Sequence, residues 1–279
     1  MNKSKWFTYI ARIGVATATI VTLLVLFGII GYVLYMGLPN INWKLLSTSP
    51  SFLEESFGIL PIIINTLYMI VLTLAFALPV GIGSALYLSE YSRQGTVIKL
   101  IRATIEILAG IPSIVYGLFG MILFVTFMNL GYSILSGALT LSVMVLPTLI
   151  RTTEESLNSV DKTYREAAMS YGVSKFYLIR TILLPCAMPG ILAGTILSIG
   201  RIVGESAALL YTSSIAFDMP MSLSSHIMES GATLTVQLYL YATEGSAPVG
   251  IPFAIASILM IMVFGLNILA ARTARMIRK

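Results

Sequence analysis

Charged residues are scarce in this sequence. Only 10% of its 279 residues are Asp, Glu, Lys or Arg, whereas 57% are hydrophobic, and the mean hydropathy is +0.91. A soluble domain carries about 25% charged residues, so this chain has too little polar surface to cover a water-soluble globule. The composition excludes a large soluble α-helical protein and predicts a polytopic membrane protein.

Cysteine and histidine are rarer still, with one of each, Cys186 and His226. A single cysteine excludes an internal disulfide and any multi-cysteine metal site. No glycine precedes a lysine, so the phosphate-binding loop G-x-x-x-x-G-K-[ST] is absent. We expect His226 to lie at a surface or turn position of an outer loop. We therefore predict a chain without catalytic residues or a bound metal, whose energy source is a gradient or another polypeptide.

Long runs without charge locate the membrane spans. Residues 107–150 contain no charge, and as one helix they would be about 66 Å long, roughly twice the hydrocarbon thickness. This run must contain two spans, separated by a turn at "MNLGYS" (128–133). The sequence predicts an all-α fold in a single domain, 1–279, with six spans at about 13–36, 59–88, 107–128, 133–150, 189–210 and 251–271.

The distribution of Lys and Arg gives the orientation. All 17 of these residues except Lys44 and Arg201 lie in the segments that are cytoplasmic if the N-terminus is cytoplasmic. This is the positive-inside pattern, and it predicts cytoplasmic N- and C-termini in a multi-pass protein of the inner or plasma membrane. The basic isoelectric point is explained by this pattern, so no nucleic-acid partner is expected.

Two further segments have several interpretations. "GIPSIVYGLFG" (110–120) places Gly110, Gly117 and Gly120 close together, and small residues of this kind let helices approach. The long outer loop at about 211–250 is expected to hold a short surface helix or to form a contact area for an external partner.

The cytoplasmic loop at 151–185 is predicted to fold as helix–Gly–helix. Tyr164, Ala167, Ala168 and Tyr171 share one helical face, Gly172 suits a left-handed stop, and Ser174 can cap a second helix. The first helix is capped either by Thr163 and Glu166 in a capping box or by Asp161 or Ser159. The loop either docks a partner or folds back on its own bundle or the membrane surface.

The same loop resembles the EAA motif of ABC importer permeases, E-A-A-x3-G-x9-I-x-L-P. The match covers every defined position, which are Glu166, Ala167, Ala168, Gly172, Ile182, Leu184 and Pro185. The resemblance implies the six-helix core of type I importers, with a short loop helix that fits a groove on a separate ATPase. It assigns ATPase coupling to Glu166, Ala167, Ala168 and Gly172, with Glu166 contacting a basic group there.

A charged pair interrupts the fifth predicted span at "IGRIVGESAALL" (199–210). An arginine at the bilayer centre costs about 2.5–3.5 kcal/mol on the insertion scale, so Arg201 should face the bundle interior or a wet cavity. Glu205, four residues on, would lie on the same helical face, where the two can pair. The pair either fixes helix packing or contributes to an oxyanion pathway, because a guanidinium presents a fork of donors suited to oxyanions.

"GRIVGESAALLYTS" and "LAGIPSIVYGLFG" together resemble the PstA-type permeases of phosphate-specific ABC importers. The resemblance implies that Arg201 takes part in phosphate passage and that Glu205 either partners Arg201 or contacts a sister permease. It also implies a PstC-like permease, a PstB-like ATPase dimer that carries ATP and magnesium, and an extracytoplasmic PstS-like phosphate-binding protein. The alternatives are an ABC permease for sulfate, molybdate or phosphonate, and a self-contained anion channel or carrier.

Overall fold

The computed structural model describes residues 3–51, 56–92, 95–216 and 225–277, which are mainly helical. Its helices are α1 (Lys3–Gly37), α2 (Trp43–Ser47), α3 (Leu60–Leu86), α4 (Thr96–Ala109), α5 (Ser113–Gly120), α6 (Ile134–Asn158), α7 (Lys162–Ser170), α8 (Lys175–Leu178), α9 (Leu184–Val203), α10 (Ala207–Leu210), α11 (Leu234–Glu244) and α12 (Gly250–Ile277). The π-helical turns Tyr87–Tyr91, Met121–Phe127 and Ile179–Leu183 follow α3, α5 and α8 respectively, and Leu38–Asn40 and His226–Met228 form 3₁₀ turns. Two short antiparallel strands, β1 (Pro50–Ser51) and β2 (Ser56–Phe57), pair Pro50 with Phe57.

The predicted all-α class is confirmed. Five helical stretches in the described part of the chain are long and apolar enough to cross a membrane, namely Thr8–Asn40, Leu60–Tyr91, Ile134–Asn158, Lys175–Val203 and Gly250–Arg272. A sixth candidate is the broken pair Thr96–Ala109 and Ser113–Phe127, whose halves meet at 102°. This agrees with the predicted number of spans if the broken pair counts as one.

The break in the sixth candidate falls at Pro112. Proline has no amide N–H to continue the helical ladder, and it disfavours helical geometry at the residue before it. The helix therefore stops at Ala109 and restarts at Ser113. The sequence predicted one helix over 107–128 here, and the structure instead has a helix that turns through roughly a right angle.

The predicted turn between the third and fourth spans is confirmed. Asn129 and Gly131 both have positive φ angles, 53° and 65°. Ser133 then caps α6 by accepting a hydrogen bond from the Ser136 amide at 3.1 Å.

Helix α6 lies at the centre of the bundle, where it packs against α3 and α9. Along the α6–α9 contact, a Cβ on Gly190 would collide with Ser156, and one on Gly194 would collide with Thr152. The glycines therefore allow the two antiparallel helices to lie in close contact. In this register, a residue four positions further along α9 lies against one four positions earlier on α6.

The outer segment that follows α10 is buried to a large extent. Helix α11 packs against α12 and buries Leu234, Val236 and Tyr241, so it is not the surface helix that the sequence suggested. His226 is fully buried in its 3₁₀ turn. The prediction of a turn is right and that of a surface position is wrong, because the ring nitrogens are satisfied internally by Asn65 Oδ1 at 2.6 Å and Glu229 Oε2 at 2.9 Å.

Candidate translocation and coupling sites

Arg201 lies in the last turn of α9, because the helix ends at Val203 and does not run on to 210 as predicted. Its neighbours Ile199, Ile202 and Val203 belong to the central core. Arg201 itself is half-buried and follows Ala193 and Leu197 at four-residue intervals along the exposed side of α9. The guanidinium therefore belongs to the side of α9 that the described residues leave uncovered.

The packing register gives the height of Arg201 in the bundle. Gly190 lies against Ser156 and Gly194 against Thr152, so the same register carried forward places Arg201 level with about Val145. Val145 lies close to the middle of α6, which runs from Ile134 to Asn158. The end of α9 is thus placed at mid-height of the bundle.

The sequence offered two roles for Glu205, pairing with Arg201 or contact with a sister permease, and within this chain the structure shows a different bond. Within the described parts of the chain, no carboxylate forms an ion pair with Arg201. Glu205 Oε1 instead accepts a hydrogen bond from the Ala208 amide at 3.1 Å, at the start of α10. The prediction assumed an unbroken helix, in which residues four apart share a face, and that condition fails beyond Val203.

The break between α9 and α10 exposes backbone at this level. Gly204 is exposed, and a Cβ on Gly200 would meet no atom within 4 Å. Within a membrane, non-helical backbone is tolerated only where protein buries it or where it lines a water-filled cavity. The uncovered side of the break must therefore face another protein surface or an aqueous route.

The two segments on which the phosphate-permease resemblance depends lie together. A Cβ on Gly117 would lie 2.8 Å from Ala208 Cα, so α5 packs directly against α10. Tyr116, beside this contact, donates its hydroxyl to the Leu108 carbonyl at 2.7 Å. Gly120 packs against Thr140 of α6. The predicted packing role is confirmed for Gly117 and Gly120.

Helix α7 carries the EAA residues at the opposite end of α6 from the outer turn. Asp161 is its cap, since its carboxylate accepts hydrogen bonds from the Thr163 amide at 2.9 Å and the Thr163 hydroxyl at 2.6 Å. These two bonds lower the pKa of the Asp161 carboxyl below its ordinary value. Gly172 has a φ of 70°, which confirms the left-handed stop, and Ser174 caps α8. Of the cap alternatives, the structure selects Asp161.

The two alanines of the motif face different surroundings. Ala168 is buried in a cluster with Leu157, Leu178 and Leu183, so it holds α7 against its own bundle. Glu166 and Ala167 are exposed, as is Tyr171 at 87%. The segment between the two membrane spans is also shorter than the predicted loop 151–185, because α6 continues to Asn158 and the next candidate span begins at Lys175. One face of α7 thus folds back while the other remains free.

Comparison with known proteins decides the family. The model of the binding-protein-dependent transport system inner membrane component family matches residues 77–279. The chain belongs to this family. It is a multi-pass permease of the cytoplasmic membrane, of the ABC transporter type.

Curated relatives resemble the chain along much of its length. It is 34% identical, over 95% of its own length and 94% of the relative, to the probable ABC transporter permease protein YqgI of Bacillus subtilis. It is 35% identical to the phosphate transport system permease protein PstA of Xylella fastidiosa, over 75% of this chain and 71% of the relative. The resemblance to PstA-type permeases is thereby confirmed.

Solved structures share the fold. A bacterial alginate ABC transporter, in complex with an alginate pentasaccharide-bound periplasmic protein, matches 99% of this chain and 96% of its own with a TM-score of 0.67 and 17% identity. The MetNI methionine ABC transporter in an inward-facing conformation matches 77% of this chain and 94% of its own with a TM-score of 0.62 and 18% identity. The predicted type I importer fold is confirmed.

Proposed function

We propose that this chain is the membrane-spanning subunit of an ATP-driven phosphate importer and forms half of its translocation pathway. The observation that carries the proposal is the Arg201 guanidinium, which has no ion-pair partner in the described residues and lies where α9 stops at mid-height. A guanidinium stays charged at physiological pH and offers planar paired donors that match a phosphate or another oxyanion. Several relatives, including that of Xylella fastidiosa, carry the name of phosphate transport permeases.

The partners follow from the same proposal. A PstC-like sister permease would cover the open side of α9, and a PstS-like binding protein would deliver phosphate from outside. A PstB-like ATPase dimer, holding ATP and magnesium, would receive the exposed face of α7 that contains Glu166 and Ala167. Gly172 ends that helix and Ala168 attaches it to the bundle, so the proposal gives a role in coupling to each of the four residues that the EAA resemblance assigned to it.

Uptake of radiolabelled phosphate tests the function. We expect Arg201→Ala to leave membrane insertion and complex recovery unchanged but to reduce phosphate uptake to the background of cells that lack the chain. The reason is that alanine removes the charged donors from the level where the backbone opens. Lys44→Ala, which deletes one exposed positive charge from the outer loop, is the matched control and should transport normally.

Two results would contradict the proposal. Normal phosphate uptake by Arg201→Ala excludes the pathway role of this residue. If deletion of the chain abolishes sulfate uptake but spares phosphate uptake, phosphate is excluded as the substrate. The alternative of an ABC permease for another oxyanion then remains.

A further inference from the structure

The Arg165 side chain, one residue before Glu166, is enclosed by four hydrogen bonds. Its Nε and Nη2 donate to Glu90 Oε1 at 3.2 and 2.9 Å. Its Nη2 and Nη1 donate to the carbonyls of Leu157 and Val160 at 2.8 and 2.9 Å. Glu90 belongs to the π-helical turn that follows α3, Leu157 to the end of α6, and Val160 to the short link between α6 and α7. Arg165 therefore joins α7 to the chain just before it and to a turn 75 positions earlier in the sequence.

This ion pair differs from the ordinary surface pairs of the chain. The side chains of Arg165 and Glu90 are only 19% and 9% exposed, whereas those of Arg151 and Glu155 are each 64% exposed. Exposed ion pairs contribute little to stability because water and salt screen their charges. Removing one partner of a shielded pair leaves the other charge without compensation. The contact between α7 and the end of α3 is thus sensitive to substitution of either residue.

A second bond ties the other side of the loop to the same turn. Lys175, at the start of α8, donates to the Glu90 backbone carbonyl and lies 4.9 Å from the centre of the Tyr91 ring. Arg165 precedes Gly172 and Lys175 follows it. Both arms of the helix–Gly–helix loop are consequently attached to the turn Tyr87–Tyr91.

Arg165 and Glu166 are neighbours on α7 but differ in their exposure. Glu166 is exposed, whereas Arg165 is shielded and reaches the turn that follows α3. Helix α3 runs beside α6 for much of its length and reaches the outer side of the bundle at Asn65, which contacts His226. A displacement of α7 therefore has a direct polar connection to a helix that crosses the whole bundle.

We propose that the Glu90–Arg165 ion pair passes the movement of α7 to α3 and is required for tight coupling of ATP hydrolysis to transport. This inference rests on the proposed coupling function of α7. Glu90 and Arg165 are positioning residues, since neither is proposed to touch phosphate or ATP. Without the pair, α7 keeps its cap and the Ala168 contact but loses its ionic connection to α3.

A double-mutant cycle on the complete complex in proteoliposomes tests the link. The variants are Glu90→Gln, Arg165→Gln and the double substitution, and the measurements are radiolabelled phosphate uptake and ATP hydrolysis on the same preparation. Allosteric couplings commonly span 5–150-fold, so we expect each single variant to lower the phosphate transported per ATP by about tenfold. Hydrolysis itself should continue, which loss of folded complex would not allow.

The double variant supplies the decisive comparison. Loss of either partner already breaks the ion pair. The double variant should therefore transport at least as much phosphate per ATP as the more impaired of the two single variants. Glu155→Gln is the control, because the Arg151–Glu155 pair joins residues of one helix and should leave the ratio unchanged. Unchanged ratios in the single variants, or losses that multiply in the double variant, overturn the proposal.

A milder variant covers the case in which the glutamine variants do not assemble. Arg165→Lys keeps the positive charge but loses the planar fork that reaches Glu90 and two carbonyls together, so a lowered ratio supports the link and an unchanged one overturns it. Failure of the proposed function is visible separately, in a wild-type complex that carries no phosphate. The ratio is then measured with whichever oxyanion the wild type carries.

Discussion

Glu205 illustrates how one hydrogen bond separates the roles of two neighbouring charges. Its carboxylate accepts from the Ala208 amide, and Arg201 is left without an acidic partner in the described residues. The first N–H groups of a helix have no partner within it, and a side-chain acceptor just before the helix stabilises that end. Glu205 therefore supports the break after α9 by fixing the start of α10.

Two substitutions of Glu205 distinguish this capping role from a role of its charge. Glu205→Gln keeps an oxygen that can accept from Ala208, so we expect near-normal uptake and thermal stability. Glu205→Ala removes the acceptor and should cost about 0.5–2 kcal/mol, with a lower melting temperature of the purified complex. If Gln impairs uptake as strongly as Ala, the negative charge matters and the capping role alone is insufficient.

At the scale of elements, the contact between α5 and α10 is set by the absence of a side chain at Gly117. A Cβ there would lie 2.8 Å from Ala208 Cα and 3.2 Å from the Tyr211 ring, and backbone atoms cannot rotate away. The arrangement around Arg201 thus depends on a close approach of main chains.

The Gly117→Ala variant should separate α5 from α10. Overpacking of this kind costs about 1–3 kcal/mol, so we expect a lower melting temperature of the complex and reduced uptake. Gly83→Ala is the control, because a Cβ on Gly83 in α3 meets nothing within 4 Å. That variant should be neutral or slightly more stable. Equal melting temperatures for the two variants would contradict the predicted close contact.

The caps and turns of the elements were predictable from sequence, whereas the end of α9 and the bend angle at Pro112 were not. The left-handed Gly172 and the turn at Asn129 and Gly131 depend on residues whose backbone preference is intrinsic. The end of α9 at Val203 is followed by Gly204, but this glycine has a right-handed φ of −78°, so its residue type does not by itself require the helix to end there. The right-angle bend at Pro112 could be predicted as a break but not as an angle, because the angle is set by packing against other helices.

At the scale of the whole molecule, the exposed face of α7 is where the chain meets its proposed ATPase. Glu166→Lys reverses a charge on that face, so we expect weaker recovery of the ATPase in pull-downs and a loss of uptake by severalfold or more. Glu244→Lys makes the same change on an exposed residue at the outer side and should have neither effect. Undiminished ATPase recovery and uptake in Glu166→Lys would exclude the predicted contact.

The parts of the coupling site that could not be predicted from sequence depend on contacts between distant parts of the chain. The motif around Glu166 was recognisable because its residues are contiguous. Arg165 and Glu90 are 75 positions apart, and His226 and Asn65 are 161 apart. Neither pair leaves a periodic pattern, and the burial of His226 depends on how the outer segment packs over α3. Arg102 likewise pairs with Glu154 at 2.6 Å, not with Glu106, the nearby acid in its own helix.

The exposed thiol of Cys186 offers a practical route to watching this permease work. Cys186 lies on the uncovered side of α9, fifteen positions before Arg201, which corresponds to about 22 Å along the helix axis. Since the chain has no other cysteine, a fluorophore or spin label would attach at one known place without any engineered mutation. Its spectrum would then report in real time whether the surroundings of this end of α9 change during each turnover.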